Sequence, residues 1–442
     1  MLKREFHLQP SPMSYSELAR RLLTSSTASE GDTVRLKARG KEHAGILMPH
    51  HEFSHPDVMV IKMKSGYNIG IMIDEGSDLT LVSKAPERPP KHKGMHEDKG
   101  LPTVAFLGTG GTIASYVDYR TGAVHPALKA EDLVATVPEL SEICRMRSRV
   151  VFSIFSENMN AENWRSLATA VADELNGGAE GVIVPHGTDT LGFTSAALSF
   201  MLGDVPKPVI LVGAQRSSDR PSSDSYINLL SAARFCVSAD VAEVVVLMHG
   251  ESSDDHVHVH RGTKVRKMHT SRRDAFQSVN EGPVARLDLQ GNIEVMGEHR
   301  AKSAIKVTPD TRMEKDVALL QFYPGMSPEM VRRVMQDHQG LVVAGTGLGH
   351  VSKDLVQALK GIVAEGKPVV MTSQCLGGRV NLNVYDTGRD LLSAGVIPGE
   401  DMLPETALVK LMWVLGRTDD IGKIEELMRR NLRGEITERR AI

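Results

Sequence analysis

The chain opens with helical spacing and then changes period. Ser14–Leu23 carries apolar residues at helical intervals, whereas Thr33–Ala38 alternates polar and apolar positions, as a half-buried strand does. Gly45–Met48, Val58–Met63 and Asn68–Ile73 continue the strand pattern, with turns at Gly40-Lys41 and Ser65-Gly66. These short strands predict a small β-barrel. Pro86-Glu-Arg-Pro-Pro-Lys-His-Lys-Gly94 breaks all periodicity and reads as a linker. From Thr103 onward, apolar runs alternate with helical patterns. The expected strands are Thr103–Leu107, Val150–Phe155, Gly181–Pro185, Pro208–Val212, Glu243–Met248, Val317–Phe322, Gly340–Gly345 and Pro368–Thr372. Helical spacing covers Ala161–Leu175, Leu191–Leu202, Ser223–Ser238, Pro328–Asp337, Glu405–Leu415 and Ile421–Leu432. This alternation predicts an α/β fold with a mostly parallel sheet covered on both faces. Around 285–315 the pattern is weak and polar, which suggests a junction between a larger and a smaller α/β domain. The expected division is 1–95 for the barrel and linker, 96–300 for the larger domain and 301–442 for the smaller.

Composition narrows the class. The 442 residues are 41% hydrophobic and 24% charged, with a net charge of -3, so no global basic field is present to hold nucleic acid. Cys144, Cys236 and Cys375 form no paired motif, which argues against a disulfide framework or a zinc ribbon and fits a reducing cytoplasm. The first residues lack the apolar run of a signal peptide, and no apolar stretch is long enough to span a bilayer.

Three segments carry chemistry. In the first, the apolar run Thr103–Leu107 enters Gly108-Thr-Gly-Gly-Thr112. Adjacent glycines allow a sharp turn and close approach of backbone to a ligand, and the ends of parallel strands are where ligands sit. Thr112 is there either as a phosphate contact or as a nucleophile. The order Gly-Thr-Gly-Gly-Thr is not the GxGxxG of a dinucleotide site. The second segment, Val182–Thr190, repeats the arrangement of strand, glycine turn and hydroxyl, with Thr188 and Asp189 ahead of a helix. Asp189 can serve the crevice or simply cap that helix. The third, Arg261–Phe276, is strongly basic. It is either a solvated loop or the source of a lysine that reaches the crevice, because a threonine hydroxyl needs a base to act as a nucleophile.

Taken together, Gly-Thr-Gly-Gly-Thr-Ile-Ala and His-Gly-Thr-Asp-Thr resemble the L-asparaginase/glutaminase family over roughly Thr103 to the C-terminus. The resemblance implies an asparaginase-like two-domain parallel-sheet α/β fold with an extra N-terminal small β-barrel domain. It implies Thr112 as nucleophile, Thr188 and Asp189 as the second pair and Lys267 as their lysine, with Lys264 the weaker choice. It also places Ser156 and Glu157 against the substrate's α-amino and α-carboxylate groups, Gly111 and Gly187 at the substrate-binding turns, and Tyr119 behind the nucleophile, with Tyr116 as rival. Glutamate at 157 departs from the neutral residue that simple asparaginases often carry.

The barrel with Gly66-Tyr-Asn-Ile-Gly70 and the long basic form of the third segment look like the branch formed by the D subunits of archaeal glutamyl-tRNA(Gln) amidotransferases. That branch implies an ammonia-generating amidohydrolase acting on asparagine or glutamine. It implies a partner, the E subunit, that binds Glu-tRNA(Gln) and uses ATP and Mg²⁺. It also implies a homodimer within a heterotetramer, and no cofactor in this chain. No GxxxxGK[ST] pattern is present. The competing readings are a stand-alone cytoplasmic L-asparaginase and a non-catalytic adaptor on a hydrolase fold. His256-Val-His-Val-His260 sets three imidazoles on one strand face, where a metal would be the sharp reading and a polar edge or interface face the plain one. The proposed chemistry needs no metal.

Overall fold

The computed structural model describes residues 15–48, 50, 55–63, 68–84, 100–110, 115–117, 124–126, 137, 139–216 and 223–437. They divide into two compact units, one built on the N-terminal region and the other on nearly all of the chain from residue 100.

In the N-terminal unit, helix α1 (Glu17–Ser26) is followed by strands β1 (Thr33–Ala38), β2 (Lys41–Leu47), β3 (Val58–Lys62), β4 (Asn68–Met72) and β5 (Asp78–Ser83). Ser16 caps α1 by accepting from the Ala19 N–H. The strands pair antiparallel in the order β4-β3-β2-β1-β5. Val34, Leu36 and Ala38 point to one side of β1 and share a core with Leu47, Met59, Ile61, Leu79 and the buried face of α1. Strand β5 escapes the sequence pattern because only Leu79 of its six residues is buried. The expected Ser65-Gly66 turn and the 86–94 linker lie outside the described residues.

The second unit contains β6 (Thr103–Gly108), helix α2 (Leu140–Ile143), β9 (Arg145–Val150), α3 (Ala161–Asn176), β10 (Gly181–Pro185), α4 (Leu191–Leu202), β11 (Val209–Val212), α5 (Ser225–Ser238), β12 (Val244–His249), β13 (His256–Arg261), β14 (Val265–Lys267), β15 (Phe276–Ser278), β16 (Ala285–Asp288) and β17 (Ile293–Val295). Strands β7 (Ser115–Val117) and β8 (Val124–Pro126) form a separate pair, and residues 115–125 are counted with the N-terminal unit. The large sheet runs β17-β16-β13-β12-β11-β10-β6-β9. Strands β9, β6, β10, β11 and β12 are parallel, and β13, β16 and β17 extend the sheet antiparallel. The central strands are buried on both faces, which is why β10 and β12 read as continuous apolar runs.

A smaller parallel sheet follows, in the order β18 (Val317–Gln321), β19 (Gly340–Gly345), β20 (Val369–Ser373) and β21 (Ile397–Pro398). It is accompanied by α6 (Pro328–Gln336), α7 (Lys353–Ala364), α8 (Asp386–Ser393), α9 (Pro404–Leu415) and α10 (Ile421–Arg429). One core joins Val182 and Val184 of the large sheet to Val342 and Val370 of the small one, with α4 and α9 packed between them. Helix α4 is apolar all round because both of its sides are covered.

One expectation is corrected. The strand expected at Val150–Phe155 is instead Arg145–Val150. Its alternation of exposed arginines with half-buried residues is that of an edge strand, whereas Val151–Phe155 leaves the sheet to pack against the first glycine turn. The stretch 285–315 begins with the β16–β17 hairpin, and the residues from 296 to 315 lack regular structure.

Candidate active site

The site is built where strands leave the carboxyl edge of the large sheet. At the end of β6, the Thr109 hydroxyl donates to the Pro185 carbonyl (2.9 Å), joining the first glycine turn to the second. Gly110 has φ +98°, and a Cβ there would fall on the Ile154 backbone. Only glycine fits this turn without strain. The Ile154 N–H donates to Thr109 O (3.2 Å), which holds the exit from β9 against it. Gly111, Thr112 and Tyr119 lie outside the described residues; Tyr116 falls on β7.

The second turn follows β10. A Cβ on Gly187 would sit 2.7 Å from the Ser156 Cβ, so the glycine is what lets Ser156 approach. Ser156 is buried, and its carbonyl accepts from the Thr190 hydroxyl (2.7 Å). Glu157 is exposed on the 3₁₀ turn Ser156–Asn158, just ahead of α3. Asn160 starts α3 with a capping box, accepting from the Glu162 and Asn163 N–H groups. The structure thus brings Ser156 and Gly187 together and leaves Glu157 facing solvent.

The third segment supplies the lysine. Strands β14 and β15 form a hairpin in which Lys267 pairs with Phe276. Lys267 Nζ donates to Thr188 Oγ1 (2.9 Å) and to Asp189 Oδ1 (2.7 Å). Asp189 therefore spends its carboxylate on Lys267; the residue at the helix start is Thr190, with no side-chain cap bond. At 2.9 Å, Thr188 Oγ1 and Lys267 Nζ are close enough for a proton to pass from the hydroxyl to the amine, which is the geometry of a proton relay. Lys264 plays a different part. It is fully buried and donates to Asp401 Oδ2 (2.7 Å), while Asp401 Oδ1 accepts from the Thr437 N–H (2.9 Å). Burial pushes the Lys264 ammonium below its ordinary range, and Asp401 offsets part of that.

The arginines of Arg261–Arg273 are all paired within the chain. Arg261 binds Glu243 and Glu281, Arg266 binds Glu405, Arg272 binds Asp274, and Arg273 reaches Asp254 and the Ser252 carbonyl. Basic as its sequence is, the segment is a neutralised scaffold. Asp254 also accepts from His249, whose other ring nitrogen faces Asn228 Oδ1 (3.0 Å). Burial alone would raise the Asp254 carboxyl, but His249 and Arg273 more than offset it and hold it below its usual range. Asn228 in turn donates to Gly213 O (2.9 Å), and a Cβ on Gly213 would lie 2.7 Å from Thr188 Cγ2. This clamp between the basic hairpin and the Thr188 turn is invisible in sequence, because its members are spread from 213 to 273.

His256, His258 and His260 line one face of β13, with ring centroids 4.8 and 5.8 Å apart. His260 Nδ1 lies 2.8 Å from Ser278 Oγ, and Arg286 Nη2 lies 3.4 Å from His256 Nδ1. Among the described residues, no group of three metal-ligating side chains is arranged to hold an ion. Burial lowers His260 to about 3. An unfolded histidine titrates near 6.5, so His260 adds stability above that pH that is lost as pH falls toward the folded value. Chemical denaturation at pH 7, 5.5 and 4.5 is expected to show that loss. The drop should be smaller in His260→Leu, and equal slopes in the two proteins would refute the assignment.

Comparisons with known proteins bear on the fold and the family. The family models described as Asparaginase, N-terminal, and Glutaminase/Asparaginase C-terminal domain match residues 103–300 and 316–428, and the GatD N-terminal domain matches 28–82. The D subunit of the glutamyl-tRNA(Gln) amidotransferase of Pyrococcus furiosus is 53% identical over 415 residues, covering 92% of this chain and 94% of that relative. The chain belongs to the family of glutamyl-tRNA(Gln) amidotransferase D subunits. The D subunit of Sulfolobus acidocaldarius is 45% identical over 427 residues, covering 96% of this chain and 95% of that one. Among solved structures, the thermostable L-asparaginase of Thermococcus kodakarensis is 34% identical. It covers 76% of this chain and all of its own, with a TM-score of 0.69. A probable cytoplasmic L-asparaginase of Campylobacter jejuni is 29% identical, with 75% of this chain and 100% of its own covered and a TM-score of 0.63. The D-subunit family thus carries the asparaginase fold together with a further N-terminal domain.

Proposed function

We propose that this chain generates ammonia for a tRNA-dependent amidotransferase, and that residues 1–95, 96–300 and 301–442 are its N-terminal, larger asparaginase-like and smaller asparaginase-like domains. The observation that carries the reading is the contact of Lys267 Nζ with both Thr188 and Asp189 at the carboxyl edge of the large sheet. In this reading Thr112 attacks the side-chain amide carbonyl of asparagine or glutamine, and its hydroxyl proton leaves through Thr188 and Lys267. The tetrahedral intermediate expels ammonia and leaves an ester on Thr112. Water, activated by the same relay, hydrolyses the ester to the acid and restores the hydroxyl. Gly111, Gly187, Ser156 and Glu157 contribute to holding the substrate, and Tyr119 supports the nucleophile. The chain needs no cofactor of its own. Ammonia passes to the partner E subunit, which converts Glu-tRNA(Gln) to Gln-tRNA(Gln) with ATP and Mg²⁺. The assembly is cytoplasmic, with two copies of each chain. Among the described residues, no helix is long and apolar enough to cross a membrane.

The test is ammonia release from asparagine and glutamine, with and without the E subunit and Glu-tRNA(Gln). Stimulation by the partner and tRNA is expected. A chain that is fully active alone and indifferent to both is a stand-alone asparaginase. That alternative also predicts that deletion of residues 1–95 leaves hydrolysis intact, whereas the proposal predicts loss of coupling. Full activity in Thr112→Ala would exclude the threonine mechanism.

A further inference from the structure

His186 stands between β10 and the Thr188–Asp189 pair, and neither the sheet nor the proton relay accounts for its side chain. Its backbone N–H already continues the parallel ladder by donating to Val212 O (2.9 Å). The side chain is 1% exposed and folds back on the next residue, with Nδ1 2.6 Å from the Gly187 carbonyl oxygen. A carbonyl only accepts, so the hydrogen is on Nδ1. The lone pair is then on Nε2, which is buried without a hydrogen-bond partner among the described residues. Burial lowers the ring to about 4, so it is neutral at neutral pH. A leucine would occupy this buried position without stranding an acceptor, and a stranded acceptor is destabilising. The one contact that a leucine could not make is the bond to Gly187 O.

That bond has a geometric consequence. The peptide between Gly187 and Thr188 is planar and trans, so fixing its carbonyl also fixes the Thr188 N–H on the opposite side. The carbonyl points inward at the buried ring. The N–H therefore points the opposite way from the buried ring, on the residue whose hydroxyl Lys267 contacts. The N–H groups of Gly187, Thr188 and Asp189 have no acceptor among the described residues. A backbone N–H held without an acceptor beside a proton relay is suited to an oxyanion.

We propose that His186 is a positioning residue: through Nδ1–H it locks the Gly187–Thr188 peptide so that the Thr188 N–H meets the oxyanion of the tetrahedral intermediate. The inference rests on the amide-hydrolysis reading above. When the nucleophile adds, the carbonyl π pair moves onto oxygen and is held by this N–H. When the pair returns, the C–N bond breaks and ammonia departs with the relayed proton. His186 itself neither gains nor loses a proton.

The test compares His186→Asn, which keeps an N–H near the Nδ1 position, with His186→Gln, which moves it toward Nε2, and with His186→Leu. Ammonia release is measured on the complete chain with its partner subunit and Glu-tRNA(Gln). We expect kcat to fall ~10- to 100-fold in the leucine and glutamine variants, with KM within about twofold of wild type. The asparagine variant should return to within a few-fold of wild type. Because asparagine and glutamine differ chiefly in where the amide sits, their comparison decides the matter even if the leucine variant does not fold. Equal kcat in the asparagine and glutamine variants, or wild-type kcat with leucine, overturns the proposal. A wild-type complex that releases no ammonia overturns the amide-hydrolysis reading instead.

Discussion

Lys267→Met is expected to lower ammonia release by ~10³-fold while leaving the protein folded, because a general base in a relay is typically worth ~10²–10⁴-fold. The side chain lies at the end of the hairpin strand and, among the described residues, makes its bonds to Thr188 and Asp189, so little packing is lost. Lys267→Arg should not restore the rate. A guanidinium is longer, forked and always charged, so it can neither replace the 2.9 Å contact with Thr188 Oγ1 nor take up a proton. Thr188→Val should cause a loss of similar size, and the double variant should lose little more than either single one, since residues that act as one unit are strongly non-additive. Single-turnover measurement of ammonia release checks this. Additive losses would mean that Lys267 and Thr188 act on separate steps.

Asp401→Ala is expected to destabilise the second unit by ~3–5 kcal/mol, the usual effect of removing one partner from a buried ion pair. Lys264 has no exposed surface, so its ammonium would be left in the core without its carboxylate. The Thr437 N–H would lose its acceptor as well. Replacing both partners, as Lys264→Met with Asp401→Leu, should recover most of the loss, because apolar isosteres leave no stranded charge. Urea denaturation distinguishes the cases. If the double variant is as unstable as Asp401→Ala, the effect comes from packing or from the Thr437 contact rather than from the charge.

Much of this architecture is legible in the sequence, for identifiable reasons. Gly181–Pro185 and Gly340–Gly345 are legible to the residue because strands buried on both faces are unbroken apolar runs between polar flanks. Leu191–Leu202 is equally clear, since its length exceeds that of a strand. Val150–Phe155 misleads because apolar content alone does not distinguish a strand from a segment that leaves the sheet and still packs on the core. Thr188, Asp189 and Lys267 come from motif resemblance, and their distances could come only from the fold. Nothing in the local pattern of Lys264 signals its burial, because its partner lies 137 residues away. His186 is in plain view inside a motif, yet its role depends on a ring that turns back on its own chain.

The packing of residues 433–437 bears on when the protein becomes active during its synthesis. The Thr263 hydroxyl donates to Arg433 O, 170 residues downstream, and the Lys264–Asp401 pair is completed by Thr437. The turn that leads into the Lys267 hairpin therefore stays unfinished while the ribosome makes the second α/β layer. At a translation rate of about 5–20 residues per second, that interval is roughly 10–30 s. A nascent chain already carrying every catalytic motif would still lack a fixed lysine. On the mechanism proposed above, ammonia release is expected only after the downstream segment has docked.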